Sequence, residues 1–164
     1  MGLVRDLQAT DTATGASDGA VGWAVGGSGK INLPFLHERD NLKFGAQYGD
    51  GFGATLKSGP FDAVFDPSGG SLETIGVFSA YGGLQHWWGD KWRSSVVGGY
   101  VNANNPGFID PDRLEETAYL ATNLVWSPFE NVTFGLEYLY GRRENVDGNS
   151  GNASRVLFST KFEF

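Results

Sequence analysis

The side chains that could do chemistry are few. His37 and His86 are the only histidines, and the chain has no cysteine. Thiol catalysis, zinc-thiolate sites and disulfide frameworks are therefore excluded. Two unaccompanied histidines fall short of a facial metal site, and His37 beside Glu38 reads as part of a solvated turn. A Ser/His/Asp hydrolase would need His86 near Ser79 or Ser95 with an Asp or Asn, and no spacing orders those three. Gly29-Lys30 is not a P-loop. Ala24 stands where its first glycine belongs, and Ile31 where a Ser or Thr must hold magnesium. Asp110-Pro111-Asp112 and Asp147-Gly148-Asn149 loosely resemble calcium ligands, but neither completes an EF-hand loop. What remains is a set of charges: Lys43, Arg93, Glu137, Arg143, Arg155 and Lys161. None is spaced for catalysis. What they share is the parity of the strands that carry them.

Helical periodicity is poor, and glycines fall where a helix would lose stability. Period two is frequent instead. Val156, Phe158, Thr160, Phe162 and Phe164 alternate with Arg155, Leu157, Ser159, Lys161 and Glu163. Val132, Phe134, Leu136, Tyr138 and Tyr140 alternate with Thr133, Gly135, Glu137, Leu139 and Gly141. Ala118 to Trp126 and Leu42 to Tyr48 repeat the pattern, and Val21, Trp23, Val25, Ile31 and Leu33 share one parity. One face of each strand is apolar, and the other is small, polar or charged. About eight strands are expected, at 3–11, 19–33, 40–50, 72–88, 91–102, 114–127, 131–143 and 153–164. The parity of 72–88 cannot be fixed, because both of its faces carry glycine and aromatics.

Connections alternate in length. Leu33–Arg39, Gly89-Asp90 and Ser127–Glu130 are short, whereas 51–71, 103–113 and 144–152 are long and rich in Gly, Asn, Asp and Pro. Trp87, Trp88, Trp92, Trp126 and Phe129 cluster near the short turns, where an interfacial girdle should lie. Short turns at one end, long loops at the other and an aromatic girdle describe an antiparallel up-and-down transmembrane β-barrel. The fold class expected is therefore all-β, with 1–164 forming one barrel region and no second domain.

Composition agrees. The 164 residues carry 12 Lys+Arg against 19 Asp+Glu, a formal charge of −7, which argues against a nucleic-acid partner. Glycine is 25 of 164, about twice the average share of roughly 7%. Aromatics at 14% separate this glycine-rich chain from a disordered one. No apolar run of about 18 residues exists for a transmembrane helix, but a membrane strand needs only about 9–11 alternating residues. Alternation alone does not tell inside from outside. A soluble β-sandwich or barrel binding carbohydrate or a small ligand through its aromatics stays a rival. So does a closed eight-stranded structural protein, whose interior side chains would fill.

Trp23 to Pro34 (WAVGGSGKINLP), Asp40 to Phe44, Tyr48 to Gly51, Arg93 to Val101, and Asn123 onward to Phe164 resemble the latter half of Gram-negative trimeric porins, and within them the DcaP-like group. The terminal Phe164 resembles the recognition signal of such barrels, and no signal peptide is visible at Met1–Asp6. The resemblance implies a C-terminal portion of a barrel of about sixteen strands, with the inward-folded constriction loop in the other half. It also implies a homotrimer in the outer membrane, in contact with lipid and lipopolysaccharide. Its solutes would be small and hydrophilic, among them small carboxylates. It implies neither enzyme activity nor a cofactor or metal. If the apolar faces meet lipid, the opposite parity lines the lumen. Lys43, Arg93, Arg143, Arg155 and Lys161 then outnumber Glu137 and Glu163 there, and such a wall favours anions. The alternative for Arg143, Arg155, Glu137 and Lys161 is cross-strand pairing that fixes register.

Overall fold

Alternating β-branched, aromatic and small residues produce strands, and the strands pair in sequence order. The computed structural model describes residues 1–12, 15–56 and 59–164. Its strands are β1 (Gly2–Thr10), β2 (Ser17–Asn32), β3 (Asn41–Asp50), β4 (Ala63–Phe65), β5 (Leu72–Thr74), β6 (Gly76–Trp87), β7 (Trp92–Asn104), β8 (Leu114–Phe129), β9 (Val132–Asn145) and β10 (Ser150–Phe162). Eight form one antiparallel meander, β1-β2-β3-β6-β7-β8-β9-β10, and β4-β5 form a separate hairpin. The sheet is open, with β1 and β10 at its edges.

Register carries one parity across the whole sheet. Val25, Tyr48, Phe78 and Asn102 are successive partners, as are Trp92, Trp126 and Phe134. This face holds most of the large apolar side chains left uncovered, such as Val156 at 66% and Phe158 at 69% exposure. Near the short turns Trp92, Trp126, Phe134 and Phe158 stack in series, with ring centroids 5.6, 5.6 and 6.4 Å apart. Near the long connections Trp23 meets Tyr48 at 5.9 Å, and Phe78 meets Tyr100 at 6.5 Å. Trp92 to Tyr100 along β7 is about 26 Å at roughly 3.3 Å per residue. A tilt of roughly 40° brings the rise to about 20 Å, which the girdle side chains extend to the thickness of an outer-membrane apolar band.

The expected 72–88 strand divides. Leu72–Thr74 pairs with Ala63–Phe65, Ile75 is fully buried, and the wall strand starts at Gly76. Its parity is now fixed: Phe78, Leu84 and His86 share the apolar face, and Val77, Ser79, Tyr81, Gln85 and Trp87 the other. The 144–152 connection is shorter than expected, because β9 and β10 stay paired as far as Glu144 and Ser150. Val146 to Asn149 make a tight turn, with Gly148 at a φ of 79°.

Gly49 is required by close approach. A Cβ there would sit 2.0 Å from the Trp23 carbonyl oxygen, whereas one at Gly27 would meet nothing within 4 Å. Gly49→Ala is expected to cost about 1–3 kcal/mol through forced backbone displacement, and Gly27→Ala to be tolerated. Urea unfolding of the detergent-refolded protein, followed by heat-modifiable gel migration, separates the two.

Candidate functional site

Opposite the apolar face lies a wall whose residues fall in rows, because partners across antiparallel strands point the same way. One row runs Lys30, Lys43, Gly83, Val97, Ala121, Leu139, Arg155. The next, toward the short turns, runs Asn32, Asn41, Gln85, Ser95, Asn123, Glu137, Leu157. On the other side of the basic row, Ser28, Gly45, Tyr81, Gly99, Tyr119, Gly141 and Ala153 alternate small and aromatic residues. The Tyr81 ring occupies the space a Gly45 side chain would take, and Tyr119 does the same at Gly99.

All six charged residues singled out from the sequence share this face, at different heights. Lys43 and Arg155 belong to the basic row, and Glu137 to the amide row beside it. Lys43 borders a cavity of about 220 Å³ with Asn41, Tyr81, Gln85 and Ser95. Arg93 lies at the short-turn end, partnered with Trp87, its guanidinium 5.3 Å from that ring. Arg143 lies at the long-loop end, donating to Asn145 Oδ1 (2.8 Å) and the Asp112 carbonyl (3.1 Å). It borders a cavity of about 270 Å³ with Phe61, Asn105 and Arg113. Lys161 bonds Glu163 on its own strand at 2.7 Å. None of Arg143, Arg155, Glu137 and Lys161 forms a cross-strand ion pair among the described residues.

Three further basic residues lie outside those six. Lys30 faces Lys43 directly across β2 and β3, a like-charged pair that costs stability. Its parity was already readable from Trp23, Val25 and Ile31. Arg39 lies in the β2–β3 turn, its guanidinium 3.9 Å above the Trp87 ring, with its charge paired to Asp90 at 2.9 Å. Arg5 faces inward from β1 and is paired with Asp62. Lys30, Lys43, Arg93 and Arg155 have no carboxylate partner among the described residues.

The catalytic alternatives do not assemble. His86 is on the apolar face, while Ser79 and Ser95 are on the other. Lys30 is inside a strand, without the following helix a P-loop requires. Both Asp147 oxygens bond Asn149 within their own turn. Asp40 has a structural task. Its buried carboxylate accepts the Trp87 N–H (2.8 Å) and the His86 Nδ1–H (2.5 Å), fastening the β2–β3 turn to the end of β6.

A girdled lipid-type face backed by a polar, basic face is the construction of an outer-membrane β-barrel wall. Residues 56–164 match the model of the DcaP outer membrane protein family. The chain belongs to that family, and its place is the outer membrane. The fold superimposes on the crystal structure of the outer membrane channel DcaP of Acinetobacter baumannii with a TM-score of 0.79 at 18% identity. That match covers 99% of this chain and 51% of the channel, so the chain spans about half the channel's length. No curated protein matches in sequence.

Burial opposes the charge on Asp40, but the His86 and Trp87 hydrogen bonds outweigh it and hold its carboxyl below the ordinary aspartate range. A carboxylate depressed in the folded state stabilises fully above its unfolded value, near 3.9. That contribution is lost as pH falls through the lower folded value. Urea midpoints should therefore drop below roughly pH 4 in the native protein. Asp40→Asn should start from a lower midpoint at pH 7 and lose part of that acid dependence.

Proposed function

We propose that the chain forms part of the wall of a passive outer-membrane diffusion channel for small hydrophilic solutes, with a preference for anions such as small carboxylates. The observation that carries the reading is the group of four unneutralised basic residues, Lys30, Lys43, Arg93 and Arg155, on the face turned away from the apolar band. In a narrow, low-dielectric passage such charges focus the field and concentrate anions. Their cost is tolerable where water fills the space in front of them, and not in a dry core. Glu137 is the one carboxylate among the six residues singled out. It stands one row below Arg155 and tempers the field without cancelling it. Arg143 and Lys161 line the same wall near its two ends.

In this reading residues 1–164 are one barrel region without a second domain. The wall does no chemistry and uses no cofactor or metal. Its outer face contacts lipid and lipopolysaccharide, and the subunits associate as a homotrimer with no nucleic-acid partner. Open edges at β1 and β10 would leave unpaired backbone groups in hydrocarbon, which costs several kcal/mol for each group. The channel therefore needs further strands to close it.

Lys43→Glu combined with Arg155→Glu in the full-length subunit should lower the anion-to-cation permeability ratio by about twofold or more. The ratio is read from the reversal potential across a planar bilayer in a salt gradient. An unchanged reversal potential would sink the anion preference.

A further inference from the structure

The connection between β3 and β6 does not extend away from the sheet. Its described residues, 51–56 and 59–75, turn back over the face that carries the basic row. Phe52 and Ile75 from this segment are fully buried against Ala24, Val77 and Ala103, wall residues of that face, with Leu3 and Val101 around them. The segment has its own scaffold. Thr55 and Leu56 N–H groups bond the carbonyls of Phe52 and Gly53, and the β4-β5 hairpin closes between Asp66 and Ser71. Beside that packing, its main polar tie to the wall is one side chain. Arg5, on β1, donates from Nε (2.9 Å) and Nη2 (2.5 Å) to the Gly51 carbonyl, and Nη2 pairs with Asp62 Oδ1 at 2.5 Å. Asp62 in turn accepts the Ala54 N–H at 2.8 Å, so one guanidinium holds both arms of the fold-back. A second, weaker tie comes from β2, where Asp18 accepts the Leu72 N–H at 2.8 Å. Gly22 leaves room for the crossing: a Cβ there would lie 2.7 Å from the Gly51 oxygen.

We propose that Arg5 is the positioning residue of the passage. It clamps the 51–75 segment against the inner wall and thereby sets the width open to solute. The inference rests on the channel reading for its width component. The clamp component stands on the contacts alone. The guanidinium fits this task better than an ammonium, because Nη2 reaches both the Gly51 carbonyl and Asp62 while Nε adds a second bond to that carbonyl from a fixed planar fork. With Arg5 shortened, the Asp62 carboxylate and Gly51 carbonyl lose their partner in a part-buried place, and the segment is freed to move into the lumen or away from it.

These 164 residues contain no cysteine, so a single thiol can be placed among them, with labelling of the parent full-length protein as the baseline. Ile75→Cys is introduced into the full-length protein, alone and with Arg5→Ala, Arg5→Lys or Asp62→Asn. Each variant is first checked for heat-modifiable migration. Labelling by a charged, membrane-impermeant methanethiosulfonate is then timed, and single-channel conductance is recorded. The expected result is slow labelling with Arg5 intact and labelling at least about tenfold faster with Arg5→Ala or Asp62→Asn, with Arg5→Lys between them. Conductance in the same variants should become larger or noisier. Labelling of folded Arg5→Ala and Asp62→Asn no faster than with Arg5 and Asp62 intact would overturn the clamp. Faster labelling with unchanged conductance and noise would overturn the role in setting width. A native-sequence protein that conducts nothing would bring down the channel reading and the width component with it, while the labelling rates would still decide the clamp.

Discussion

Hydrocarbon offers no water to a peptide group, so a chain that spans it with strands must pair every N–H and C=O sideways. Strands β3, β6, β7, β8 and β9 do this on both sides along nearly their whole length, and the edge strands β1 and β10 on one side. Once the backbone is committed in this way, the side chains have two directions only, and each position falls to one solvent or the other. The stacked Trp92, Trp126, Phe134 and Phe158 and the facing lysines 30 and 43 are consequences of that division. Neither feature would be stable if the faces were exchanged. Aromatic rings gain at a lipid headgroup boundary, and two opposed ammonium groups are bearable only where water reaches them.

Where the 51–75 segment folds back, the same rule gives the opposite chemistry. The inner wall there is Leu3, Ala24, Val77, Val101 and Ala103, because it meets protein instead of water. The two kinds of inner surface treat charge differently. Arg5, part-buried under the segment, is neutralised by Asp62 and bonded to a carbonyl. Lys43 and Arg155, beyond the segment, are left unneutralised. The partnered cation organises structure, and the unpartnered cations stand clear of the segment on the same face.

Much of this was legible in the sequence, and the losses have physical causes. Strands β3, β8, β9 and β10 were readable because lipid on one side and water on the other keep apolar and polar residues in near alternation, broken by such inward residues as Leu139 and Leu157. The common face of Lys43, Arg93, Glu137, Arg143, Arg155 and Lys161 followed directly. Parity failed at β6 because Val77 faces the fold-back while Phe78 faces outward, so both sides are apolar. The inward course of the 51–75 segment had no local signature. Its buried anchors Phe52 and Ile75 lie among glycines, and the sequence bears no mark that Arg5, more than forty residues earlier, is its partner. Of that connection, residues 57 and 58 lie outside the described residues. The stretch 144–152 reads as a long loop because Asn, Gly and Ser fill the turn at 146–149 and its flanks alike, although the flanks remain paired.

The row Gly45, Tyr81, Gly99, Tyr119, Gly141 explains how a wall so rich in aromatics keeps an open face. A tyrosine standing straight out from a strand would project into the passage. Here Tyr81 lies across the Gly45 backbone and Tyr119 across that of Gly99, where any Cβ would collide with the ring. Each glycine gives up side-chain packing of its own and recovers it from the neighbouring ring, which shields the ladder hydrogen bonds beneath it. The tyrosines thus add stiffness to the wall with little added height. The long side chains left to project from the row beside them are basic: Lys30, Lys43 and Arg155. Glycine enrichment and aromatic enrichment, which look unrelated as composition, are two halves of one device that leaves charge as the principal relief on the inner wall.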